Sequence, residues 1–216
     1  MIRLSRFQRL ALLAASTTVI TAGVLSQGSA FAAPAAPRTA AVTAAHRADA
    51  DTQWKQIDDT ASGVTVRLPG KPDIQKDTTA GVAIRDYLVT TGYGATGFSV
   101  YDKPDAATGP WDLDGGLKAA LDGYNSVDAG AELTSTDVHH GTTHDGDHYV
   151  EAKLVGVDGK VGHIRIVDLG KHSIMLMTVG RGGQQAAVDR DYQQVLDSIK
   201  VPHHGAPRAE ASAVST

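Results

Sequence analysis

The chain has 216 residues, no cysteine, 20 Lys and Arg against 24 Asp and Glu, and a net charge of −4. The lack of cysteine excludes disulfides, thiolate metal ligands, cysteine nucleophiles and the acylated cysteine of a lipoprotein. The acidic balance argues against nucleic acid and anionic membrane surfaces as partners.

Residues 1–32 have the pattern of a secretory signal peptide. Three arginines and no acid precede a short apolar stretch, and Ala30-Phe31-Ala32 supplies a small-x-small cleavage site. The apolar stretch is too short and too rich in hydroxyl groups for a membrane span. We therefore expect Sec-type export and a secreted, extracellular mature chain of 184 residues. Its 17 basic residues and 24 acids give a net charge of −7.

Composition divides the mature chain into three parts. Residues 33–51 are rich in Ala, Pro and Thr and cannot bury a core, so they predict a disordered leader. The tail 203–216 has a similar composition and follows Pro202, which ends the last predicted helix. A single folded domain is therefore expected over 52–202.

Three strands are predicted in the first part of this domain. Apolar and polar residues alternate over 64–68, and Pro69-Gly70 then turns the chain. The stretches 82–89 and 98–101 are the next two strands, because apolar residues bounded by Gly and Pro are typical of half-buried strands.

A helix, four strands and a second helix follow. Apolar residues from Leu113 to Tyr124 share one helical stripe, and Asp112 can cap its start. Strands are predicted over four stretches, of which the last is apolar on both faces and predicts a central strand: 133–138, 149–157, 161–169 and 173–179. A clear apolar stripe from Val188 to Ile199 predicts the final helix.

The order βββαββββα with hairpin-length connections, such as Asp158-Gly159, predicts the fold class. It is an α+β domain with a mainly antiparallel sheet covered by two helices, similar to an α/β/α sandwich.

The layout resembles a known group of proteins. An early Trp54, the segment GVTVRLPGKP (63–72), a β-meander and a final helix ending VLDSIKV (195–201) are similar to the PsbP-like α/β/α sandwich proteins of the bacterial cell envelope, such as the DcrB and LpqN types. The chain departs from the lipoprotein members because it lacks their acylated cysteine. The resemblance implies a fold with non-catalytic binding or accessory roles, and no functional residue maps onto this sequence.

One cluster of residues suits a metal ion. Imidazole and carboxylate ligands, which zinc, copper and nickel accept, fall within ten residues: His139, His140, His144, Asp145, Asp147 and His148. If the flanking strands pair, His140 and His148 lie beside the turn and could converge. The alternative is a solvated hairpin tip with Asp145-Gly146 in the turn, or a response to pH through the histidines.

Other candidates have simpler explanations. His163 and His172 lie on or beside strands and are interpreted as structural histidines. The segment 92–97 matches G-x-G-x-x-G by letters but connects two strands, so it is interpreted as a flexible connection. Neither G-x-S-x-G nor H-E-x-x-H occurs, and no catalytic set is identified.

These observations favour a secreted, non-enzymatic binding or accessory protein of the cell envelope. Its partner would be an envelope or extracellular protein or a small ligand, with no cofactor. The alternatives are a secreted metal-binding protein that uses His139, His140, His144 and His148 with zinc or another transition metal, and a hydrolase with a dispersed site.

Overall fold

A computed structural model describes residues 53–104, 107–126 and 132–202. These ranges lie within the predicted domain 52–202. The predicted signal peptide, leader and tail lie outside the described residues.

The described chain forms nine strands and two helices. In chain order these are β1 (Lys55–Asp59), β2 (Val64–Leu68), β3 (Asp73–Thr79), β4 (Val82–Thr90), β5 (Gly94–Asp102), α1 (Leu113–Asn125), β6 (Leu133–Thr142), β7 (His148–Gly156), β8 (Val161–Leu169), β9 (His172–Gly180) and α2 (Gln185–Ser198). The predicted α+β class is confirmed, and both predicted helices are present.

Seven strands form the main sheet in the order β3-β4-β5-β9-β8-β7-β6, and every neighbouring pair is antiparallel. Strand β9 lies in the middle, and all of its residues after the first are buried. This confirms the prediction of a central strand, because a run that is apolar on both faces needs cover on both sides.

The two helices lie on opposite faces of this sheet. Successive side chains of a strand point to opposite faces. On β9, Ile174 and Leu176 share a hydrophobic cluster with Tyr192 of α2. Met175, between them, shares a second cluster with Leu117 of α1. The sheet thus has an α2 face and an α1 face, which gives the expected three layers.

The structure has two strands that the sequence did not predict, so the expected count of three strands before α1 is wrong. Strand β1 (KQIDD) and strand β3 (DIQKDTT) are polar and largely exposed. Their residues therefore lack the apolar alternation by which half-buried strands are recognised. Strand β2 pairs with β1 in a separate two-stranded hairpin instead of joining the main sheet.

The start of α1 follows the predicted capping. The Asp112 carboxylate accepts a hydrogen bond from the Gly115 backbone N–H at 2.9 Å. A Cβ at Gly115 would lie 2.2 Å from the Asp112 carboxylate, so a larger residue there would require the Asp112 side chain to shift. The glycine that weakens the helix therefore leaves room for this position of the capping carboxylate.

Candidate functional site

The α2 face of the sheet is covered unevenly. The β1–β2 hairpin packs on β4 and β5, with Val64, Val66 and Leu68 wholly buried in the same cluster as Tyr87. Helix α2 packs on β8, β9 and β2. The outer strands β6 and β7 carry exposed side chains on this face, among them His139 and Lys153. One half of the face is thus closed and the other half is open.

The closed half contains a buried charged network. Arg85 donates from Nε to Asp59 at 2.6 Å and from its terminal nitrogens to Asp102. Asp59 also accepts hydrogen bonds from the Tyr87 hydroxyl and the Ser62 backbone. Burial opposes ionisation of Asp59, but the hydrogen bonds from Arg85, Ser62 and Tyr87 outweigh it and lower the pKa of Asp59 to about 2. This network fastens the β1–β2 hairpin to β4 and β5.

The open half has a polar hollow of about 400 Å³ beside the second and third turns of α2. His163 of β8 lies 2.7 Å from Asp189 of α2, and its ring stacks on Tyr192 with 4.6 Å between the ring centroids. Lys153 of β7 donates to Asp137 at 2.8 Å. Every charged group of this hollow therefore has a partner of opposite charge or an imidazole.

An ion pair forms the inner end of the polar hollow. Arg165 donates to Glu151 from Nε at 2.9 Å and from Nη2. The Tyr192 hydroxyl donates to the other oxygen of Glu151 at 2.7 Å. Burial and the neighbouring Glu151 raise the pKa of Tyr192, so its hydroxyl stays protonated and acts as a donor. The Arg165 guanidinium also lies 4.0 Å from the centre of the Tyr149 ring.

A second hollow of about 670 Å³, named the apolar hollow, lies on the other side of this pair, beside the last turn of α2. Apolar side chains from the sheet and from the helix end line it: Val167, Leu169, Ile174, Leu196, Ile199 and Val201. The β6–β7 turn forms one rim with Asp145 and Asp147, and Lys200 lines the other side.

The two hollows together are named the α2 groove. The same two strands line both hollows. Glu151 of β7 and His163 of β8 line the polar hollow, and Tyr149 and Arg165, two residues away on the same strands, line the apolar hollow. A concave surface with an apolar part and a few oriented polar groups is the usual form of a ligand site. The groove can hold an elongated molecule by apolar contact at one end and by hydrogen bonds at the other.

The structure separates the histidines of the predicted metal site. His139 and His140 are neighbours within β6, so they point to opposite faces of the sheet. His139 lies 3.5 Å from Glu151 on the α2 face. His140 lies 2.8 Å from Asp114 at the start of α1.

The other two predicted ligands lie at the tip of the hairpin. His144 is fully exposed in the turn, and His148 is paired with Thr142 where β7 begins. Gly146 has a positive φ of 95°, in keeping with the predicted turn at Asp145-Gly146. Among the residues that the structure describes, no group of three or more His, Asp or Glu side chains is placed to hold a metal ion. Metal binding by His139, His140, His144 and His148 thus stays a prediction without a preformed site.

The groove residues were missed or interpreted differently from the sequence. His172 lies 2.7 Å from Asp102 and is structural, as predicted. His163 is likewise held by Asp189 and stacks on Tyr192, as expected of a structural histidine, and it also lines the groove. Within the described ranges, no histidine hydrogen-bonds to a serine or threonine hydroxyl. The one sign of the groove in the sequence is that charged residues alternate with apolar ones on β7 and β8. The sequence does not show which strand pairs with them or which helix covers them.

In the part of the chain that the structure describes, no helix is long and apolar enough to cross a membrane. No protein-family model matches the chain, and no curated protein matches it. Among solved structures, the chain is similar to the solution structure of cyanobacterial PsbP (CyanoP) from Synechocystis sp. PCC 6803. The sequence identity is 12%, the TM-score is 0.48, and the match covers 70% of this chain and 94% of that one.

CyanoP belongs to the group that the layout of the sequence resembles. At this identity and TM-score, nothing about the activity or the partners of this chain follows from the match. The likeness to the DcrB and LpqN types stays a prediction.

Proposed function

We propose that this protein is an exported, non-enzymatic binding protein of the cell envelope that holds its ligand or partner in the α2 groove. The observation that carries the proposal is a pair of adjacent hollows beside one helix, one bordered mainly by charged and hydrogen-bonding side chains and the other by apolar side chains and the β6–β7 turn. The signal-peptide pattern of residues 1–32 supports export.

Val167, Leu169 and Ile174, which line the apolar hollow, belong to the core, so the apolar surface that a ligand can cover comes from the half-buried side chains at its edge. The half-buried Leu196 and Ile199 border this hollow on the helix side. Apolar surface that remains accessible in a concave site gains free energy when a ligand covers it, by about 25 cal/mol per Å². On the closed half of the face, the β1–β2 hairpin already covers the apolar surface of the sheet, so a ligand would gain no such free energy there.

The polar hollow supports recognition rather than chemistry. Glu151 is held between Arg165 and Tyr192, and Asp189 is held by His163. Side chains fixed by such pairs present donors and acceptors at defined positions, which favours selection of a ligand by hydrogen bonding.

The test compares two half-buried leucines that lie on opposite faces of the sheet. The mature chain 33–216 is immobilised covalently and exposed to cell-envelope and culture-medium extracts, with and without EDTA. The variants are Leu196→Gln in the groove and Leu121→Gln on α1. Circular dichroism establishes that each variant is folded before it is used.

We expect the same species to be retained by the wild type and by Leu121→Gln, and lost from Leu196→Gln, in both the presence and the absence of EDTA. Retention that survives Leu196→Gln would contradict the groove as the binding site. Retention that disappears with EDTA would favour the metal-binding alternative.

A further inference from the structure

The shape of the α2 groove limits the kind of molecule that fits it. The residues that line the two hollows on the helix side run from Asp189 in α2 to Val201 just beyond it, a distance on the order of 20 Å at about 1.5 Å per helical residue and about 3.3 Å per residue after the helix. A small ligand is usually enclosed over most of its surface. An extended polypeptide rises about 3.3 Å per residue, so about six residues span this length.

The charge of the groove selects among polypeptides. Its lining residues include five carboxylates, Asp137, Asp145, Asp147, Glu151 and Asp189. They include three permanent cations, Lys153, Arg165 and Lys200. The excess of two negative charges has the same sign as the net charge of −7 on the mature chain. Complementary charge steers a basic partner to this surface and repels an acidic one.

The acids are accessible to such a partner. Asp145 on the rim of the apolar hollow has a side chain that is 53% exposed, with the His144 Nδ1 atom 3.8 Å away. At the other end of the groove, the side chains of Asp137 and Lys153 form an ion pair, and both are exposed. Exposed pairs contribute little to stability, so a basic side chain can replace their partners at small cost.

We propose that the occupant of the α2 groove is an extended segment of another protein, about six residues long, in which apolar residues alternate with basic ones. This inference rests on the proposed function of the groove. Side chains of an extended segment alternate in direction. Every second, apolar residue would therefore contact the half-buried Leu196, Ile199 and Val201 while the basic residues meet the acidic rim.

The test uses an array of capped hexapeptides that alternate leucine or valine with lysine, glutamine or glutamate. The mature chain 33–216 is applied at about 0.15 M salt and at about 1 M salt, where charge interactions are screened. The rim variant is Asp145→Lys. The matched control is Asp122→Lys, an exposed acid on α1, so that neither change alters the core.

We expect the lysine series to bind at least about tenfold more strongly than the glutamate series at the lower salt concentration. Asp145→Lys should weaken that binding, and Asp122→Lys should leave it unchanged. Equal binding of the three series, or binding unaffected by Asp145→Lys, would overturn the inference.

The inference and the proposed function fail in different ways. If no peptide binds while retention from extracts still depends on Leu196, the polypeptide partner is wrong and the groove remains a binding site for another ligand. If no peptide binds and retention is also independent of Leu196, both proposals are overturned.

Discussion

The two halves of the α2 face carry similar charged groups in different surroundings. In the closed half, Arg85 lies between Asp59 and Asp102, and the Asp59 side chain has no exposed surface. In the open half, Arg165 pairs with Glu151, and both side chains border hollows that solvent can enter. The β1–β2 hairpin covers the first pair, whereas the second is bordered on one side by α2 through Tyr192 and on the other by the hollows.

This difference indicates what each arginine does. A buried carboxylate that loses its cation has no solvent to replace it, so the closed network stabilises the fold. The Glu151 side chain, which is 14% exposed beside the groove, can be partly hydrated when its cation is removed. We therefore infer that the open network takes part in ligand recognition. Single substitutions in the two networks test this comparison.

The largest effect is expected from Arg85→Met. The substitution leaves Asp59 buried without a cation, so unfolding free energy should fall by about 3–5 kcal/mol. Urea unfolding followed by circular dichroism measures the change. Arg67→Met, at an exposed position on β2, is the control and should alter stability little. Equal losses in the two variants would contradict the structural role of the closed network.

The closed network should also make stability depend on pH. Because the pKa of Asp59 is lowered to about 2 in the folded state, its contribution is present above the ordinary aspartate value and is lost as the pH falls toward 2. The wild type should lose about 2 kcal/mol more than Asp59→Asn between pH 7 and pH 2. Parallel pH profiles of urea unfolding for the two proteins would refute this.

Two tyrosines provide a matched comparison of smaller size. Tyr87 donates to Asp59 at 2.9 Å in the closed half, and Tyr192 donates to Glu151 at 2.7 Å in the open half. Tyr87→Phe should lower the unfolding free energy by about 2 kcal/mol and Tyr192→Phe by about 1 kcal/mol, since only the second acceptor borders solvent. The reverse order would mean that coverage by the hairpin does not set the strength of these bonds.

The smallest effect is expected from zinc. His139 and His140 point to opposite faces, so zinc should raise the melting temperature of the mature chain by less than about 1 °C. His203 and His204, in the tail, are replaced by alanine for this thermal scan. A larger shift that is lost in His140→Ala would instead support metal binding by the hairpin.

Much of the fold could be predicted from the sequence because its strands and helices carry regular apolar patterns. The run SIMLMTV identified the central strand β9, and the stripe from Val188 to Ile199 identified α2. Strand β3 could not be predicted, since an edge strand rich in Asp and Lys has no apolar alternation.

The candidate site was less accessible to sequence analysis. His139 and His148 attracted attention because they are close in sequence. The groove instead brings His139 together with Glu151, His163 and Asp189, which are distant from one another along the chain. Their meeting depends on the order of strands in the sheet and on the placement of α2 over β8, and neither is encoded by local spacing.

The most direct test of the account is Arg165→Met, measured for both stability and retention of the extract species. Removal of this cation should cost about 2 kcal/mol of unfolding free energy, less than Arg85→Met, because Glu151 keeps its bond from Tyr192 and is 14% exposed, whereas the Asp59 side chain has no exposed surface. Retention should nevertheless be lost. A stability loss as large as that of Arg85→Met, with retention intact, would contradict the division of this face into a structural half and a binding half.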